Sequence, residues 1–176
     1  RYGPSRGPVV PSTFAWIWGW ASWQRAWRDY RFDLADTWPN SVTSAGVRDY
    51  LRNDLNFLAQ TNNFDALAQG SVDTWDYQWS FALLSRRRVN LISTVNLVTN
   101  LGFDGDATHT TQSEPYLRDL ATHALVPTRR HRDITAPDRA HDKLFGEILH
   151  ARSWLKITRL RLLASQPVLA ALVLGV

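Results

Sequence analysis

The sequence predicts a helix-rich α/β domain with a few short strands. Three observations lead there. Apolar residues recur at helical spacing in four separate segments, a short β-branched run lies between them, and 44% of the 176 residues are hydrophobic, enough to pack a real core. Helices gathered around short strands read as α/β.

Taken in order, Arg1 to Pro11 is rich in Gly and Pro and predicts an irregular lead-in. From Ala21 to Tyr30, Ser22, Trp23, Ala26, Trp27 and Tyr30 recur at helical spacing with Arg25 and Asp29 opposite, the pattern of an amphipathic helix. Trp38-Pro39 then breaks the chain. A second helix is expected over 44–60, with Val47, Leu51, Leu55 and Leu58 as its buried stripe and the polar run Gln60-Thr61-Asn62-Asn63 as its end. A third begins near Asp73, a good N-cap, carries Trp75, Trp79, Ala82 and Leu83 inward, and closes at Arg86-Arg87-Arg88, where cations favour a helix C-terminus. Capping and solvation account for the triple Arg, with phosphate contact as the alternative.

Val89 to Thr94 predicts a strand, continued after a turn by Asn96-Leu97-Val98. The polar stretch from Gly102 to Pro137 predicts loop. From Asp138 a last helix is expected, with Leu144, Ile148, Ala151 and Leu155 on one face and a stop at Pro167. The expected division is therefore a main domain over 1–137 and a basic amphipathic helix with an apolar tail over 138–176. Such a helix fits the surface of an anionic membrane, and it fits docking on its own domain equally well.

Composition excludes several function classes. Without cysteine there is no disulfide framework and no thiolate chemistry, and a reducing compartment is the natural setting. The run Val168 to Val176 is far shorter than a membrane span. Arg129 to Arg161 holds nine Arg or Lys against four Asp or Glu, but eight of the nine Trp lie before residue 80. Bases and aromatics are thus not interleaved as a nucleic-acid reader needs, so no nucleic-acid partner is expected. Phosphate-loop, dinucleotide, zincin and nucleophile-elbow motifs are all missing.

Three segments carry candidate chemistry. Trp16-Ile17-Trp18-Gly19-Trp20-Ala21-Ser22-Trp23 offers indole faces of the kind that stack on sugar rings, with Gly19 permitting close backbone approach; the same residues also fit a packed aromatic core with Gly19 at a bend. Asp73-Thr74-Trp75-Asp76-Tyr77-Gln78-Trp79 places two carboxylates three residues apart among large rings, and lost hydration makes a carboxylate a better base. An N-cap and a first-turn acid would read identically. The stretch from Asn96 to Thr110 contains Asp104, Asp106 and His109, which fit a hard cation and also fit an ordinary Asp-Gly turn.

Together, in this order and spacing, the three segments over residues 14 to 110 resemble the C-terminal half of a bacterial family described as glycosyltransferase family 2-like or hemolytic protein HlpA-like, within the nucleotide-diphospho-sugar transferases. That resemblance implies a GT-A fold. Its N-terminal half would bind a nucleotide-diphospho-sugar and a divalent cation, Mn or Mg, through acids upstream of Arg1. Its C-terminal half, the part present here, would shape the site for a glycan or lipid-linked acceptor. The absence of methionine and the start at Arg1-Tyr2-Gly3-Pro4 agree with such a part. More remotely, the motif order is similar to eukaryotic β-1,2-N-acetylglucosaminyltransferases, and on that analogy Asp76 is the catalytic base of an inverting transfer. Trp18, Gly19, Trp20, Asp73, Trp75 and Gly102 would line the substrate site, and His109 would close over the donor. The metal role does not carry over to Asp104 or Asp106, and no role carries over to His123, His131, His141 or His150, which read as surface histidines. A cytoplasmic location follows, peripheral at the inner membrane face if the basic helix binds lipid. The competing expectation is a non-catalytic carbohydrate-binding module.

Overall fold

The computed structural model describes residues 7–99, 121–126 and 134–149. It is a mixed, helix-rich fold with a short two-stranded sheet, α/β at the coarse level. The elements are β1 (Val9–Ser12), α1 (Gln24–Trp27), α2 (Ser41–Leu51), α3 (Asp54–Ala68), α4 (Asp76–Ser85) and β2 (Asn90–Ser93), followed by α5 over residues 139–149. The chain forms two compact units, one from the described residues of Arg1–Phe32 and Thr74–Arg139, the other from Asp33–Asp73 with the described residues after Arg139.

In the first unit β1 and β2 pair antiparallel, with Val10 opposite Ile92 and Pro11 opposite Leu91. The lead-in expected to be irregular thus contains a strand. Pro11 is tolerated because its backbone faces away from β2, its carbonyl accepting from Asp138 N at 2.8 Å, so the missing N–H removes no ladder bond. Val10 and Ser12 point inward and are buried. Asn96-Leu97-Val98 is not a strand; Asn96 instead holds a loop, its carbonyl accepting from His123 N and its side-chain amide donating to the Ala121 carbonyl. The core of this unit is α4, whose Gln78, Trp79, Phe81, Ala82, Leu83 and Leu84 are all buried. The helix expected over 21–30 shrinks to α1, a single turn, in which no residue is buried: Ala26 and Tyr30 are partly buried against the Trp79 core, while Trp23 and Trp27 are exposed.

In the second unit the single helix expected over 44–60 is two. Arg52 adopts the left-handed region with φ 49°, and the Asn53 side chain caps α3 by accepting from Asn56 N at 3.0 Å. An Asn that can satisfy an orphan helix donor competes with continuing the previous helix. Helix α3 then runs through Gln60-Thr61-Asn62-Asn63, because Phe57 and Phe64 are both buried and packing outweighs weak local propensity. Asn40 caps α2 in the same way. Trp38 stands edge-on to Phe64 at 5.4 Å and donates its indole N–H to Asp65 at 2.7 Å.

The face of α5 also differs from the expected stripe. Leu144 and Ile148 are exposed, while His141, Asp142 and Gly146 are buried; His141, read as a surface histidine, stacks on Phe145 at 5.6 Å. The reason is Asn56, buried on α3, which donates to the Asp142 carbonyl at 3.2 Å and lies against Gly146, where any Cβ would meet its Oδ1. A polar contact from the Asn56 side chain to the α5 backbone therefore fixes this face, and apolar periodicity does not report it. Ala151, Leu155 and the apolar tail lie outside the described residues. Among the described residues no helix is long and apolar enough to cross a membrane.

Candidate functional site

The segment before α1 runs without regular structure until Gly19, whose φ of +61° is the left-handed region that glycine adopts freely. A Cβ there would also run into the Val98 side chain. Gly19 thus serves a bend pressed against the chain leaving β2, and the bend turns Trp20 inward, where it packs on the core of Trp79, Ala82 and Leu83.

Trp20 is the centre of an indole cluster. It stacks on Trp75 at 5.6 Å and 22°, and makes tilted contacts with Trp79 at 5.4 Å and Trp27 at 5.7 Å. Trp27 stacks on Trp79 at 4.4 Å and meets Tyr30 at 5.3 Å. The cluster has a buried floor and an open rim: Trp79 is 2% exposed, whereas Trp27 and Trp75 are 40% and 42% exposed. Offset and tilted geometries of this kind add stabilisation beyond area burial. Trp20, from the Trp-rich segment, packs on the buried Trp79, while Trp27 and Trp75 keep exposed faces.

Asp76 is the first residue of α4, next to the Trp75 rim. Its carboxylate accepts from the Thr74 hydroxyl, and the helix N-terminus favours negative charge there. Burial raises the Tyr30 and Tyr77 phenols above their ordinary value of 10.0, and the Asp76 charge raises both further. Asp76 is therefore flanked by phenols that stay protonated near neutrality and can donate hydrogen bonds. It is half-buried.

The sequence-derived site is brought together in part. Trp20 and Trp75 stack and Asp76 follows Trp75 directly in the chain, Gly19 shapes the bend that delivers Trp20, and Trp18, beside the bend, is 40% exposed. Asp73 is exposed, belongs to the second unit and does not cap α4, whose N-cap is Trp75 with no side-chain cap bond. The two carboxylates therefore do not share a first helical turn. Gly102 and His109, with Asp104 and Asp106, lie outside the described residues. Among the described residues no three His, Asp or Glu side chains come together to hold a cation.

Two features escaped sequence reasoning. Trp27 and Tyr30 belong to the site wall; their spacing was visible, but a stripe of rings reads as core until exposure is known. Arg86 and Arg88 do more than cap and solvate, since both pair with Asp29, at 3.3 and 2.8 Å. The hydrogen bond from Arg88, joined by the charges of Arg86 and Arg88, holds the Asp29 carboxyl below its ordinary 3.8 despite partial burial. This pairing ties the end of α4 to the turn after α1, and only a tertiary contact could reveal it. No protein-family model, no curated protein and no solved structure matches the chain.

Proposed function

We propose that this chain is the acceptor-side part of a GT-A-type glycosyltransferase, related to the bacterial glycosyltransferase family 2-like proteins, and that Asp76 is its catalytic base. One observation carries the proposal: a carboxylate at a helix N-terminus stands beside an indole cluster whose rim is open. Sugar C–H faces stack on indole, and a carboxylate beside such a platform faces the hydroxyls of the stacked ring.

In the proposed reaction Asp76 accepts the proton of the acceptor hydroxyl as that oxygen attacks the anomeric carbon of a nucleotide-diphospho-sugar. The bond from the anomeric carbon to the diphosphate breaks on the opposite face, so configuration inverts and a nucleoside diphosphate leaves. Thr74 holds the carboxylate oriented, and Tyr30 and Tyr77 supply neutral donors beside it. The Mn or Mg ion that the resemblance implies finds no ligand set among the described residues. In such an enzyme it would be held, with the nucleotide, by the nucleotide-binding half, and no step here runs through it. A cytoplasmic site of action with peripheral membrane contact, and a glycan or lipid-linked acceptor, belong to the same proposal.

The exposed faces of Trp27 and Trp75 equally favour a second reading, a carbohydrate-binding module without catalysis. Asp76→Asn separates the two. A transferase loses nucleoside diphosphate release and retains acceptor binding. A binding module is indifferent to the substitution and has no turnover to lose.

A further inference from the structure

On the other side of α1 from the indole rim, the first unit contains an open groove of about 440 Å³ between the chain at Ala21–Ala26 and the start of β2. Ala26 and Leu83 form part of its wall and also belong to the core under the indole cluster, so groove and cluster share one rigid base. Its polar lining is Ser22, Arg25, Arg88 and Asn90, with no Asp or Glu among the described residues that line it. Arg25 is exposed, lies over the Trp23 ring at 4.8 Å, and has no carboxylate partner among the described residues. Arg88, which lines the groove, pairs with Asp29 as Arg86 does and brings a second guanidinium to the same wall. Asn90 lines the groove, and its Nδ2 makes no hydrogen bond among the described residues. Trp23, 68% exposed, offers an open indole face at the same place.

We propose that this groove binds an anionic saccharide, a sugar ring bearing a carboxylate or a phosphate. The negative group is held by Arg25, with Arg88 and the Asn90 amide as further donors, while the ring lies on Trp23. Guanidinium groups bind carboxylate and phosphate through paired N–H donors, and a guanidinium already resting on an indole loses less freedom when it does so. An aromatic face alone would accept neutral sugars; the cations are what select charge. Identifying this ligand as the acceptor rests on the transferase reading, whereas the binding site itself does not.

Isothermal titration of the full chain tests the proposal with four probes: an oligogalacturonide, its neutral carboxyl-reduced counterpart, glucose 6-phosphate and inorganic phosphate. The expected result is that at least one charged saccharide binds about ten-fold or more tighter than its neutral counterpart or than inorganic phosphate, the preference a charge-assisted hydrogen bond confers. The tighter of the oligogalacturonide and glucose 6-phosphate identifies the anion. Arg25→Gln, at an exposed position, should abolish the preference with an unchanged circular dichroism spectrum, and Arg25→Lys should restore part of it. Equal binding of charged and neutral sugars overturns the proposal, as does a preference that survives Arg25→Gln. Inorganic phosphate binding as tightly as glucose 6-phosphate also overturns it, in favour of a simple anion site. Because nothing here requires turnover, charge-selective binding by the unsubstituted protein without any nucleoside diphosphate release would reject the transferase reading and leave this one standing.

Discussion

Trp20 and Trp75 stack with their ring centres 5.6 Å apart and their planes inclined by only 22°. This contact joins the bend at Gly19 to the first turn of α4 and so brings two distant Trp-rich segments into one site. Trp20 also rests on the buried Trp79, whereas Trp75 stands at the rim. Trp20→Ala should therefore destabilise the first unit by about 3 kcal/mol, the usual cost of deleting a large packed ring. Trp75→Ala, at a position 42% exposed, should cost about 1 kcal/mol and act mainly on sugar binding. Urea unfolding followed by near-ultraviolet circular dichroism, with glycan binding measured on the same variants, checks this ordering.

Gly19 combines a positive φ with contact against Val98. Gly19→Ala should cost about 2 kcal/mol or more, because strain and overpacking act together. Val98→Ala in the same background relieves only the overpacking, so it should recover part of the loss. Full recovery in thermal melts would mean that the backbone conformation is not strained.

In the second unit Asn56 and Gly146 form a matched pair. Gly146→Ala alone should destabilise by about 1–3 kcal/mol, since the new methyl meets the Asn56 amide. Asn56→Ala alone should cost a similar amount by orphaning the Asp142 carbonyl contact. In the double variant the methyl gains room, and the combined loss should be smaller than the sum of the two. Strict additivity in denaturant unfolding would contradict direct contact.

The Asp29 carboxyl is held below its ordinary 3.8, chiefly by the hydrogen bond from Arg88. A depressed carboxyl contributes stability that is present above the unfolded value and lost as pH falls through the folded one. Wild-type stability should therefore fall more steeply below pH 3.8 than that of Asp29→Asn, which should in turn be less stable near neutrality. Arg86 and Arg88 are largely exposed, so the neutral-pH difference should shrink in high salt. Thermal melts across this pH range at two ionic strengths provide the check.

What the sequence made legible was decided by residues whose local pattern and tertiary role coincide. Trp79, Ala82 and Leu83 read as the inward face of α4 because a buried helix face repeats every three or four residues, and the β-branched run at 89–94 read as a strand for a similar local reason. The break at Arg52-Asn53 was less visible, because one side-chain cap reversed the choice that apolar periodicity made. The face of α5 was hidden for another reason: the Asn56 amide donates to the Asp142 carbonyl and lies against Gly146, a contact that hydrophobic patterning does not encode. At the site, the pairing of Asp76 with indoles was legible from adjacency alone. The roles of Tyr30 and Trp27, and the exclusion of Asp73, depended on where the chain turns between segments.

The most direct test of the central claim is nucleoside diphosphate release from nucleotide-sugars in Mn or Mg, with acceptor present, by the chain joined to its upstream sequence and by its Asp76→Asn variant. The account predicts release by the parent and a loss of at least about a hundred-fold in the variant, the contribution of a positioned base, with acceptor affinity unchanged. Release that is undiminished in Asp76→Asn would contradict it.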